Sequence, residues 1–191
     1  MDDQFFVPAG FAVPVGLTAE EFRLEPLGSQ HNAADYAAWT ASIGHIQATP
    51  GFTGTGWPHQ MSLAENLHDL ERHAQDFAGR RGFTYTVLST GTGEVIGCVY
   101  IYPPRSESQG GARAGDHDAA VSSWVRADRA ELDPVLYHAV CAWLKAPGRS
   151  TRSSTRHGSD LVPPIGLTGH IRAAENSPLA QPLSPPITGP L

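Results

Sequence analysis

Every phenylalanine, tryptophan and tyrosine of this 191-residue chain lies at or before Trp143. A packed core is built mainly from large apolar side chains, so the sequence confines its core to the part that precedes Lys145. From Lys145 to Leu191 the chain instead carries half of its 16 prolines, among Gly, Ser and Thr. Such a segment cannot bury enough surface to offset its ordering entropy, and residues 145–191 are expected to be disordered. A change of reading frame near Lys145 is one origin for so abrupt a shift. At the other end, Pro8, Gly10, Pro14 and Gly16 interrupt any periodicity, so residues 1–21 read as an irregular arm that packs Phe5, Phe6 and Phe11 onto the domain. One domain is left, residues 22–144.

Within it, Phe22–Leu27 alternates apolar and polar residues and reads as a first strand, held to an end or edge position by Pro26. His31–Gln47 places Tyr36, Trp39, Ile43 and Ile46 at helical spacing, with a loosening expected at Gly44. Ala48–Gln60 is loop-like. Ser62 and Glu65 then form a capping box, followed by Leu63, Leu67, Leu70, Ala74 and Phe77, which predicts a second helix over Ser62–Arg80. Phe83–Leu88 and Glu94–Tyr102 flank the turn Ser89–Gly93 and predict an antiparallel hairpin. After a Gly- and Ser-rich loop at Arg105–Asp118, Ala119–Arg126 reads as a strand. Asp133-Pro134 starts a last helix, with Asp133 as N-cap and Pro134 at the first helical position.

Charge and cysteine usage exclude several classes. The net charge is −6, and no basic face points to a nucleic-acid partner. Cys98 and Cys141 form no CxxC pair; both sit in apolar stretches and read as buried, reduced thiols, which suits a cytoplasmic protein. No apolar run approaches the ~18–20 residues of a membrane span, and the N-terminus lacks the basic start of a signal peptide. Histidine is abundant, but His68 and His73, five apart, splay on a helix, and no metal site is expected.

The order strand, two helices, hairpin, strand, helix resembles the first part of a GNAT N-acetyltransferase. The segment FRLEPL resembles the opening strand, EVIGCVYIY the hairpin's second arm, and VSSWVRADRAELDPVLYHAVCAWL the cofactor strand, turn and helix. The resemblance covers about Phe22–Leu144. It implies an α/β fold, a mixed and mostly antiparallel sheet flanked by helices, here truncated after the cofactor helix. It also implies acetyl-CoA as cosubstrate, with the pyrophosphate at the start of that helix, where glycines let backbone N–H groups approach an anion. Arg129 stands at the motif's basic position, with Arg126 nearby. Leu132 and Pro134 stand where glycines are expected, Ala130 replaces a further one, and Glu131 and Asp133 add negative charge. The cofactor-binding set is therefore Trp124, Val125, Arg126, Arg129, Ala130, Glu131 and Leu132, with Trp124 and Val125 mapping to the oxyanion amides. The resemblance also implies a further strand beside the cofactor strand, the pantetheine arm lying where the two splay apart. No strand-like segment follows Leu144, and no tyrosine follows Tyr137 to protonate the leaving thiolate.

A base for the acceptor amine must be a carboxylate or histidine in the acceptor groove. His45 and His68 on the early helices are candidates, as is Tyr100 on the long strand for proton transfer; His59, Glu65 and Trp57 lie in the same region. The residues do not name the amine. Two functions stay open: acetyl transfer from acetyl-CoA to an amine of a small molecule or protein, and a non-catalytic GNAT-like interaction module or inactive frame-altered product. An open sheet edge also suits a homodimer.

Overall fold

The computed structural model describes residues 5–104 and 119–146, together with the backbone of 171–173. The loop expected at Arg105–Asp118 and most of the tail expected to be disordered lie outside the described residues.

Six strands form one sheet: β1 (Leu17–Thr18), β2 (Phe22–Pro26), β3 (Phe83–Ser89), β4 (Val95–Tyr102), β5 (Ala119–Val125) and β6 (Ile171–Ala173), side by side in chain order. Neighbours are antiparallel except β5 and β6, which are parallel. Among the described residues, four α-helices flank it: α1 (Asn32–Thr40), α2 (Ile43–Ala48), α3 (Leu63–Ala78) and α4 (Leu132–Lys145). Every residue of β3 is buried, as expected of a central strand covered on both faces.

Two apolar clusters lie on the two faces of the sheet. On one, Tyr85, Val87, Val99, Val121 and Val125 pack against Leu132, Leu136 and Val140 of α4 and against Val7 of the N-terminal arm. On the other, Leu88, Cys98, Tyr100 and Trp124 pack against Trp39, Ile46, Phe52 and Leu70. The arm is less irregular than its composition implies. Leu17 and Thr18 pair with Leu24 and Arg23, Tyr85 donates its hydroxyl to the Pro14 carbonyl at 2.7 Å, and Arg80 donates to the carbonyls of Pro8 and Phe11.

The capping box forms as expected. Ser62 Oγ accepts the Glu65 N–H at 3.2 Å and Glu65 Oε2 accepts the Ser62 N–H at 2.6 Å. Three local expectations are corrected. The helix over 31–47 is broken at Ala41–Ser42 rather than loosened at Gly44; Ser42 leaves helical geometry and its Oγ accepts the Ala127 N–H, 85 residues away in sequence. The last helix starts at Leu132, so Asp133 is its second residue and not its cap, because the carboxylate is engaged elsewhere. The fold also does not stop at α4: the backbone of β6 pairs Ile171, Arg172 and Ala173 with Ala119, Ala120 and Val121. Core composition could not foretell this strand, because closing a sheet edge needs only backbone N–H and C=O groups. Among the described residues no helix is long and apolar enough to cross a membrane.

Gly97 fixes the approach of β4 to β5 beside the C-terminal end of β5. A Cβ there would collide with the Trp124 carbonyl oxygen, a backbone atom with no freedom to turn away.

Candidate functional site

The strand-to-helix turn is held together by its own polar groups. Antiparallel register makes Cys98 and Trp124 a hydrogen-bonded pair, since Arg126 N–H donates to Ile96 O at 2.8 Å two residues further on. The Trp124 amide is therefore committed to the ladder, whereas those of Ser123 and Val125 face the outer edge. Val125 N–H donates to Asp133 Oδ1 at 3.0 Å, and the other oxygen of that carboxylate lies 2.6 Å from His45 Nε2. Burial pushes the Asp133 carboxyl up from its ordinary value, partly offset by the His45 and Val125 contacts. The Arg129 N–H bonds Arg126 O and the Asp133 N–H bonds Ala130 O.

The two arginines are also engaged. Arg126 forms a two-pronged contact with Asp128 at 2.9 and 2.6 Å, which raises its pKa. Arg129 bonds Glu131 at 3.1 Å and Glu21 at 3.0 Å. Ala130 is half-buried, Glu131 is exposed and Leu132 is buried in the α4 core. Beside the turn, a cleft of about 570 Å³ runs along α1, floored by Ala34, Ala37, Ala38 and Ala41 and rimmed by Arg126 and Asp128.

Of the proton-transfer candidates, only His45 reaches this turn. His68 and His59 are exposed, and Glu65 serves the α3 cap. Tyr100 is buried on the helical face; it accepts from Trp124 Nε1 at 3.4 Å and contacts the Cys98 thiol. Burial pushes its hydroxyl well up, so it keeps its proton. Trp57 wedges between Trp39, Phe52, Tyr100 and Trp124, with ring centroids 5.4–6.5 Å away. Among the described residues no group of three His, Cys, Asp or Glu side chains could hold a metal ion.

Four residues emerge only from the structure. Asp133 orients His45. Asp35, Asn66 and His73 gather beside Tyr100, on the same face as Trp124. Asp35 is 5% exposed, and burial raises its carboxyl to about 6 against the opposing effects of Asn66 and His31. His73 is pushed down to about 4, chiefly by burial with Arg72 adding, so its imidazole is neutral at pH 7. The only sequence signal was helical phase: Asp35 and Trp39 share a turn-to-turn position, as do Asn66, Leu70 and His73.

No family model matches the chain, and no curated protein matches it in sequence. In structure it is similar to the ribosomal-protein-S5-alanine acetyltransferase of Vibrio fischeri, at 12% identity over 69% of this chain and 66% of that one, with a TM-score of 0.49. It is also similar to the microcin C7 self-immunity acetyltransferase MccE solved with acetyl-CoA and AMP, at 12% identity over 64% of this chain and 63% of that one, TM-score 0.46. A third is RimJ of Mycobacterium smegmatis solved with CoA-disulfide, at 18% identity over 64% of this chain and 57% of that one, TM-score 0.43. The chain spans less than two thirds of the length of each of these proteins. The chain's own architecture is a mixed, mostly antiparallel sheet with helices on both faces.

Proposed function

We propose that the protein transfers the acetyl group of acetyl-CoA to an amine. The observation that carries this reading is the uneven edge of β5. The parallel strand β6 engages Ala119–Val121, and among the described residues no strand continues along Ser122–Val125. A linear ligand bearing amides, such as a pantetheine arm, matches an edge of that kind because it adds to the sheet as a strand does. The edge ends where α4 begins, and a helix start favours anions.

Acetyl-CoA supplies the activated thioester. Arg126 and Arg129 would hold its phosphates once they exchange Asp128, Glu131 and Glu21 for them; exposed ion pairs of this kind are worth little, so the exchange is inexpensive. The outward amide of Ser123 is the donor for a developing oxyanion, joined by that of Val125 once Asp133 Oδ1 releases it while Oδ2 keeps His45. In the neutral ring, Asp133 holds the His45 proton on Nε2 and leaves the Nδ1 lone pair to accept a proton from the amine. The new C–N bond then replaces the C–S bond, and the thiolate leaves.

Calorimetry with acetyl-CoA on the full chain tests this. Binding heat is expected for the wild type, with affinity reduced about tenfold by Arg129→Ala, the loss of one charge-assisted phosphate contact. Absence of heat at millimolar acetyl-CoA overturns it. A second reading, a non-catalytic GNAT-like module, is favoured by the internal partners of Val125, Arg126 and Arg129, and predicts that absence.

A further inference from the structure

A cavity of about 30 Å³ opens on the face of the sheet that carries α1 and α3, lined by Asp35, Trp57, Asn66, Asp69, His73 and Tyr100. Its polar groups are of one kind. Asp35 is almost fully buried, and among the described residues no lysine or arginine pairs with it; its one hydrogen-bond donor is Asn66 Nδ2, at 3.1 Å. Asn66 is itself fixed, accepting from Trp39 Nε1 at 2.9 Å and donating to Asn32 Oδ1 at 2.9 Å. A buried carboxylate with no lysine or arginine beside it, and only the His31 ring as a basic neighbour, is an expensive arrangement that a bound cation relieves.

The imidazole is arranged to accept as well. The Tyr102 hydroxyl donates to Asp76 Oδ2 at 3.2 Å, so its single proton is used there. His73 Nδ1 lies 2.8 Å from that hydroxyl and 3.2 Å from Thr84 Oγ1, and a ring that donates to them from Nδ1 carries its lone pair on Nε2. Asp69, at the cavity wall, is shared with Arg72 at 3.3 Å. The rings of Trp57 and Tyr100 meet edge to face with centroids 6.3 Å apart, and the Trp124 indole N–H is turned to the Tyr100 oxygen. The walls thus offer a carboxylate, a neutral imidazole and two aromatic rings, while the Trp39 and Trp124 indole N–H groups and the Asn66 amide are already engaged.

We propose that this cavity binds the ammonium head of a primary amine, with Asp35 as its counter-ion and the rings of Trp57 and Tyr100 against its cationic and alkyl surface. An –NH3+ group has three donors and no acceptor, the complement of these walls, and aromatic faces attract cations. The volume admits an ammonium group and excludes a quaternary one. That the bound amine is the acetyl acceptor rests on the acetyl-transfer reading; the recognition of the ammonium does not.

The test is an NMR titration of the full chain with n-propylammonium chloride at pH 8, without acetyl-CoA, beside the same titration with tetramethylammonium chloride. Saturable shifts with propylammonium and none with tetramethylammonium are expected. Asp35→Asn should weaken propylammonium binding about tenfold or more, the effect of losing a desolvated charge-assisted contact, and leave acetyl-CoA heat unchanged. No saturable shift for the wild type, equal binding of both cations, or an Asp35→Asn variant that binds as the wild type does overturns the proposal. Should Asp35→Asn fail to fold, the comparison of the two cations on the wild type decides. Amine binding without acetyl-CoA binding would remove the transferase reading and leave the ammonium site standing; the converse would do the opposite.

Discussion

Asp35 and His73 lie in one cavity and respond to pH in opposite directions. Asp35 holds its proton up to about pH 6 in the folded chain but loses it near 3.8 when unfolded, so its contribution to stability falls as pH rises through that interval. His73 takes up a proton only near 4 when folded but near 6.5 when unfolded, so its contribution is complete above 6.5 and is lost as pH falls towards 4. Each effect is worth roughly 3 kcal/mol, and over pH 4–6 they nearly cancel. Urea denaturation at stepped pH should therefore show a nearly level wild type. On acidification from 6.5 to 4, Asp35→Asn should lose stability and His73→Gln should gain it; two variants that track the wild type would contradict this. Neither residue was legible in the sequence as a site residue. Their burial is created by partners 11 to 31 positions away, such as Thr84 and Asn66, and no local pattern reports that. His45 was legible as a polar residue on an early helix, but its partner Asp133 read as a helix cap, because a cap and a strand-end acceptor look alike in one dimension.

At the scale of elements, what local chemistry determines was legible and what distant contacts determine was not. The α3 start follows from Ser62 and Glu65, and the β3–β4 hairpin from its β-branched arms, so both stand close to where the sequence puts them. The break between α1 and α2 depends on the Ala127 amide meeting Ser42, and it falls two residues before the glycine that composition would have blamed. Gly97 shows the same dependence. It reads as an ordinary weak point in a strand, yet the Trp124 carbonyl occupies the space of its missing side chain. Gly97→Ala should destabilise the fold by about 1–3 kcal/mol, measured as a lower urea midpoint with unchanged slope. On the acetyl-transfer proposal it should also reduce acetyl-CoA affinity more than a substitution of similar cost remote from β5. A neutral Gly97→Ala would mean that the two strands separate easily.

The described residues form a sheet walled on both sides, and each wall comes from a different part of the chain. Residues of the N-terminal arm, Phe6, Val7, Phe11 and Val13, finish the wall that α4 begins. Deleting residues 1–16 should cost about 3 kcal/mol or more, since it opens that apolar cluster to water. Thermal unfolding would show it, and an unchanged midpoint would mean the arm is ornament. Composition placed the body of the domain by where its aromatic residues stop, but it judged the arm by its prolines and missed that their carbonyls serve as acceptors for Arg80 and Tyr85. The contact of Asp133 with both Val125 and His45 bears on the molecule as a unit. It bolts a helix from one wall to a helix from the other around the tip of a single strand. One carboxylate thus serves two masters, and a variant that removes it, Asp133→Ala, is expected to release the last outward amide of β5 and the imidazole on α2 together.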